Sequence, residues 1–239
     1  MIFSDIEFYY TPPELISSGR LIVTGDEAIH ITKVMRHKVN DEVYITDGSG
    51  NIFKTVIENI TPKEIISKIT GSYVQENNLT NVTFCIPILK SAERLEFALE
   101  KSVELGITDF VIFNAEKSYK RGIKLDRWEK ILLAAMKQSL RSYKPKIEFR
   151  HNFHNSFSDS DNLFIFEQNS DISFQDFLKQ KIKTKYFLNN KTYFIFGPEG
   201  GLTQKEIALF NNPLLLTLNK NRLRSETAII NVAVLLANL

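Results

Sequence analysis

The chain carries a single cysteine, Cys85, in 239 residues, and that scarcity excludes an internal disulfide framework and a cysteine-based metal cluster. Its four histidines show no metal-ligand spacing, so no metal is expected. Long apolar runs are missing as well. No stretch approaches the ~18 residues that a membrane span needs, and the opening MIFSDIEFYY does not read as a signal peptide. A cytoplasmic protein with no membrane partner is therefore expected. Charge of one sign is also scarce: with 30 Lys and Arg against 28 Asp and Glu, any affinity for nucleic acid has to come from local clustering. The glycine-rich segment is not followed by Lys-Ser/Thr and no dinucleotide fingerprint is present, which disfavours a nucleotide-dependent metabolic enzyme. Apolar residues, at 43%, are plentiful enough for one large domain or a small one joined to a larger one.

The pattern changes rhythm once. The first part alternates in short apolar pieces, RLIVTG, DEVYITDGSGNIFKTVIENI and EIISKITGSYV, with Asp47-Gly48-Ser49-Gly50 as a hairpin signal. One helix interrupts them from Asp26, its cap, to Met35, with Ile29, Val34 and Met35 on an apolar side. A small β-barrel with one helix fits residues 1–72, and the polar SYVQENNLTN marks the boundary near 73–80. Beyond it VTFCIPILK, DFVIF, NLFIFE, TYFIFG and PLLLTLN read as strands. Helices fall on AERLEFALEKSVELG, on LDRWEKILLAAMKQSLRSY, and near 173–181, 203–210 and 225–239. This alternation argues for a mainly parallel α/β sheet with ligands at the carboxyl ends of its strands.

Two stretches carry chemistry. In FIFGPEGGLTQKEI an apolar strand runs into glycines and Glu199, then into a helix opened by a Thr203/Glu206 capping box. Glycines there let backbone approach a ligand, while an acidic side chain opposes phosphate and suits hydroxyls, amines or a cation. A tight turn with no ligand is the competing account. In LTLNKNRLRSETAIINVAVLL, Lys220, Arg222 and Arg224 precede an apolar helix opened by Ser225. Cations at a helix amino end are disfavoured by its dipole, which points to an anionic partner, an internal pair with Glu226, or a merely solvated loop.

FGPEGGLTQKEI followed by LNKNRLRSETA closely resembles the RsmE family of ribosomal RNA methyltransferases, within the SPOUT (trefoil-knot) superfamily. HITKVMRHKVNDEVYITDGSG, LKSAERLEFALEKSVELGITDFVIFNAEKS and KQSLRSYKPKIE extend the resemblance, in the family's order, over essentially the whole chain. It implies an α/β protein of two parts: a PUA-like β-barrel that binds RNA over 1–72, and a SPOUT α/β-knot domain over 73–239 with a deep C-terminal trefoil knot. It implies S-adenosyl-L-methionine (SAM) as cofactor, in a pocket of Phe166, Glu167, Gly197, Pro198, Glu199, Gly200, Gly201, Leu218, Asn219, Leu223, Arg224, Thr227 and Ala228. Glu199 would there read a hydroxyl, an amine or the sulfonium's field. His30, Lys33, Arg36, Lys120, Arg121, Arg141 and Lys144 are the implied RNA contacts; a solvated surface is the alternative for each.

The resemblance further implies a homodimer, joined through the C-terminal domain, that methylates N3 of a uridine in 16S rRNA, free or in the assembled small ribosomal subunit. Arg224 and Glu226 are the catalytic candidates. Attack by a ring nitrogen needs no covalent intermediate, whereas pyrimidine C5 chemistry needs a thiol, and Cys85 lies in a core strand. The chain departs from the family's loop where Asn219 replaces a glycine, Asn221 an arginine and Arg222 an aliphatic residue. Asn tolerates left-handed backbone, which would preserve the loop at 219. A SPOUT methyltransferase acting on another RNA nucleotide, or a non-catalytic RNA-binding protein, remain the alternatives.

Overall fold

Alternation of apolar and polar side chains sets the first group of strands in the computed structural model, which describes residues 6–120, 122–151, 153–155, 157–181 and 190–239. Arg121 lies outside the described residues. Two compact units emerge, one from Met1–Asn77 with Met136–Lys144, the other from Asn78–Ala135 with Pro145–Leu239.

The first unit holds β1 (Phe8–Tyr10), β2 (Ile16–Ser17), β3 (Arg20–Thr24), α1 (Gly25–Ile29), β4 (Glu42–Thr46), β5 (Asn51–Ile60) and β6 (Glu64–Val74). They form one sheet in the order β1-β4-β5-β6-β3-β2 around a core of Tyr9, Leu21, Val23, Ile31, Val43, Ile45, Ile57 and Ile65. Just after β1, Thr11 gives its hydroxyl proton to the Ile22 carbonyl of β3. The hairpin between β4 and β5 turns on Asp47, whose carboxylate accepts from the Ser49 N–H, the Ser49 hydroxyl and Asn51 Nδ2 at 2.8, 2.8 and 2.6 Å.

The helix here differs from its sequence pattern. Thr24, not Asp26, occupies the cap position, and after Ile29 the chain widens into a π-helical turn over His30–Val34, where Met35 N–H donates to the His30 carbonyl. That wider turn breaks the 3.6-residue period, so Ala28 and Ile31 face the core while Ile29, Val34 and Met35 are exposed. The unit also reaches beyond residue 72. Strand β6 runs to Val74, and Ser142 offers its N–H and hydroxyl to Gln75 Oε1, both at 2.9 Å. Lys137 Nζ meets Glu27 Oε2 at 2.7 Å, so residues 136–144, assigned by the sequence pattern to the second domain, pack with the first.

The second unit is built on β7 (Val82–Pro87), α2 (Ala92–Glu104), β8 (Asp109–Phe113), α3 (Leu125–Gln138, as far as Ala135), β9 (Lys146–Arg150), β10 (Asn162–Phe166), α4 (Phe174–Lys181), β11 (Thr192–Ile195), α5 (Gln204–Ile207), β12 (Leu214–Leu216) and α6 (Ser225–Ala237). Its sheet runs β12-β10-β11-β7-β8-β9, with every pairing among the described residues parallel. Register places Phe110, Phe84, Phe194 and Phe164 in one cross-strand row, with neighbouring rings 5.2 to 6.4 Å apart. The opposite face buries Cys85, Val111, Phe113, Phe153, Tyr193, Ile195 and Phe210. Helix α6 packs on α2, whose Leu95, Leu99 and Val103 stripe matches the sequence pattern and which Ser91 caps by accepting from Arg94 N–H. Strand β9 does not: its KIEFR was not recognised as a strand.

His154 sits in this second core, its ring 4.7 Å from that of Phe210 and its Nδ1 buried without a hydrogen-bond partner. Burial pushes its imidazole below the ordinary value, and nearby Glu206 only partly offsets this. A base depressed in the native state is protonated first in the unfolded chain. Its contribution is therefore complete above about pH 6.5 and is lost as pH falls below that value. The unfolding midpoint of the parent should drop more steeply than that of His154→Gln between pH 7.5 and 5.5, as read by circular dichroism; parallel curves would refute this.

Candidate active site

The cleft begins where β11 ends. Phe196 is buried, and the chain then turns through Gly197-Pro198-Glu199-Gly200-Gly201, with Gly201 N–H donating to the Pro198 carbonyl at 2.8 Å. A Cβ on Gly197 would stand 3.1 Å from both Gly201 Cα and Leu202 N, so the turn closes on the missing side chain. Gly201 has φ of +69°, and a Cβ there meets nothing within 4 Å. Thr203 and Glu206 then form the capping box the sequence signals, though α5 is a single turn.

Strands β12, β10 and β11 are neighbours, so the loops at their carboxyl ends converge. They enclose a cleft of about 360 Å³, of a size that suits a small organic ligand. Phe166, Glu167, Gly197, Pro198, Glu199, Gly200, Gly201, Leu218, Asn219, Leu223 and Ala228 line it. So do Gln168, Phe196, Leu216, Thr217, Arg222 and Ser225, which are not among the SAM contacts the resemblance implies. Gln168 bridges two walls, its Nε2 donating to the carbonyls of Asn219 at 3.0 Å and Lys220 at 3.2 Å.

Arg224, Glu226 and Thr227 stand outside these walls. Ser225 and Ala228, three residues apart, turn one face of α6 to the cleft, which leaves Arg224 and Thr227 exposed. Glu226 is paired not with Arg224 but with Arg94 of α2, at 3.4 Å from Nε, and its Oε2 is buried without a hydrogen-bond partner. Nor does Asn219 adopt left-handed backbone; its side chain accepts from Asn221 N–H at 2.8 Å, an Asx turn that shapes the loop instead. One oxygen of Glu199 accepts from Lys90 N–H at 3.0 Å.

The basic candidates divide between the units. His30 lies beside the Tyr9 ring at 6.1 Å, while Lys33 and Arg36 are exposed. Arg141 and Lys144 belong to the same first unit: burial depresses the Arg141 guanidinium, and Lys144 Nζ sits 4.7 Å above the Tyr10 ring. Lys120 is exposed on the second unit.

A parallel sheet with a glycine-loop cleft, preceded by a PUA-like unit, is the architecture of the SPOUT trefoil-knot methyltransferases. The model for the RNA methyltransferase domain matches residues 75–237, and that for the RNA methyltransferase PUA domain matches 23–70. A Mesomycoplasma hyopneumoniae protein named ribosomal RNA small subunit methyltransferase E is 34% identical over 182 residues, 73% of this chain and 76% of its own. The crystal structure of a probable rRNA-methyltransferase from Porphyromonas gingivalis superposes with a TM-score of 0.76 at 28% identity over 95% of both chains. That of a ribosomal RNA small subunit methyltransferase E from Neisseria gonorrhoeae bound to S-adenosyl methionine gives a TM-score of 0.81 at 24% identity, again over 95% of both. The chain belongs to the RNA methyltransferase family, alongside ribosomal RNA small subunit methyltransferase E.

Gly197 and Gly201 are required in this turn for different reasons. Gly201→Ala should cost about 1–2 kcal/mol through backbone strain alone, and Gly201→Asn less, because Asn tolerates left-handed backbone. Gly197→Ala should cost about 1–3 kcal/mol by overpacking, with no relief from Asn. Urea denaturation measures both; equal behaviour of the Ala and Asn variants at 201 would contradict the strain account.

Proposed function

We propose that this chain transfers a methyl group from SAM to N3 of a uridine in 16S rRNA, acting in the cytoplasm as a homodimer. The observation that carries this is the cleft at the ends of β10, β11 and β12 in a chain of the RNA methyltransferase family. Its walls fit a nucleoside bearing an amino-acid tail. Phe166, Phe196, Leu218 and Leu223 offer apolar surface for a base, Glu167 and Thr217 offer polar atoms for hydroxyls or an ammonium, and Gly201 leaves room for close approach. When bound there, SAM supplies a methyl group activated on a sulfonium.

The chain's own residues have two tasks: to favour loss of the N3 proton, whose pKa is well above neutral, and to stabilise the charge left on the uracil. Arg224, exposed between the cleft residues Leu223 and Ser225, suits the second task. Glu226 is better suited to position it, because its contact with Arg94 ties the first turn of α6 to α2. Nitrogen rather than carbon as the acceptor is supported by Cys85, which is wholly buried in β7, where burial pushes its thiol well above the ordinary range. The exposed apolar side chains Phe97 on α2, Val234 on α6 and Leu239 beyond it support dimer formation through this unit.

Nucleoside mass spectrometry of 16S rRNA from a strain lacking the gene should show loss of 3-methyluridine; unchanged 3-methyluridine would overturn the assignment. Light scattering that reads a monomer at micromolar concentration would remove the dimer. In single-turnover assays Arg224→Ala should lower the rate by roughly 10²–10³, the usual cost of one preorganised charge contact, with SAM affinity within several-fold. Cys85→Ala should stay close to the parent, and a folded, SAM-binding but inactive Cys85→Ala protein would contradict the non-covalent route.

A further inference from the structure

We infer that Arg222 is a positioning residue that locks one peptide of the cleft wall, the Glu199–Gly200 peptide, against flipping, with Lys117 securing the next. The inference rests on reading the cleft as the SAM site, but the lock is a property of the ligand-free chain.

The turn Pro198-Glu199-Gly200-Gly201 is closed by one internal hydrogen bond, from Gly201 N–H to the Pro198 carbonyl. Gly200 sits at its third position without a positive φ, which places the turn outside type II. Glycine at that position is also what a type II turn requires, and the two forms differ by rotation of the central peptide. Nothing inside the turn holds the two exposed carbonyls, so without outside contacts both forms are open to it. A flip would exchange the Glu199 carbonyl and the Gly200 N–H, turning an acceptor into a donor on the wall that lines the cleft.

Outside contacts select one form. Arg222 Nη2 donates to the Glu199 carbonyl at 2.8 Å from the loop that follows β12. Lys117 Nζ donates to the Gly200 carbonyl at 2.9 Å from the loop that follows β8. The Lys117 stem also lies flat on Gly200: a Cβ built there would be 3.0 Å from Lys117 Cδ and 3.5 Å from its Cβ. The Glu199 side chain is tied separately to Lys90 N–H, so the residue preceding the flexible glycine is anchored at both its carboxylate and its carbonyl. Arg222 stands where the resembled pattern has an aliphatic residue.

The test uses the full chain without ligand first. NMR relaxation dispersion on the Gly200 and Gly201 amides should be flat in the parent and in Arg222→Lys, and show microsecond-to-millisecond exchange in Arg222→Leu. Adding Gly200→Ala to Arg222→Leu should suppress that exchange, since alanine disfavours the positive φ of the flipped turn. Calorimetry with SAM should then show Arg222→Leu weakened about threefold to tenfold, the range for one ordinary hydrogen bond, to which solvent screening brings an exposed charged one down, and Arg222→Lys near the parent. Flat dispersion in Arg222→Leu, or exchange that survives Gly200→Ala, would overturn the lock. A parent that does not bind SAM would overturn the cofactor reading instead, and the dispersion result would still decide the lock.

Discussion

The cross-strand row of Phe110, Phe84, Phe194 and Phe164 is the contact on which the cleft depends. In a parallel sheet, slipping one strand by a single residue exchanges its two faces, and these rings cannot be exchanged for the Cys85, Val111 and Tyr193 set without loss of packing on both sides. Register in turn fixes how far each strand extends. Because β10, β11 and β12 are adjacent, their carboxyl ends bring Phe166, Phe196 and Leu216 to the floor of one cleft. The loops that follow then need only short spans to meet above it. Function here is a consequence of where three buried strands stop.

Much of this was legible in the sequence where the cause is local. The Thr203/Glu206 capping box, the helix α2 with its Leu95, Leu99 and Val103 stripe, and the Asp47 hairpin each depend on residues a few positions apart. Five of the strands in the parallel sheet show as continuous apolar runs. The sixth, β9, is an edge strand carrying Lys146, Glu148 and Arg150 on alternate positions, so only Ile147 and Phe149 mark it. The misread helix face at Ile29, Val34 and Met35 has a different origin: a π-helical turn changes the period that any helical reading assumes. Residues 136–144 fall to the first unit through contacts such as Thr46 Oγ1 donating to the Ser142 carbonyl, with partners 96 residues apart. No window along the chain contains that information.

The site shows the same division. Glycine positions were legible because their conformational demands are local, as the tight approach at Gly197 and the positive φ of Gly201 illustrate. Side-chain direction was not. Arg224 and Thr227 flank Ser225 and Ala228 in sequence, yet the start of α6 turns the first pair to solvent and the second pair to the cleft. Glu199 looks from sequence like a ligand-reading carboxylate, but one of its oxygens is committed to Lys90 N–H.

The carbonyl of Glu199, rather than its carboxylate, bears on the oddity of cations before a helix amino end. The helix dipole disfavours Arg222 and Arg224 there by a few tenths to about 1 kcal/mol each, and solvent exposure weakens even that. Arg222 offsets the cost with a charged hydrogen bond to the Glu199 carbonyl. Among the described residues Arg224 has no such use that would account for its place, and it stands exposed at the point where the cleft wall passes into α6. A cation kept at an unfavourable helix end, beside the cleft proposed to take SAM, is consistent with an anionic partner from outside the chain. In the proposed reaction that partner is the RNA itself, so the dipole penalty is borne by the free protein and relieved only when the substrate arrives.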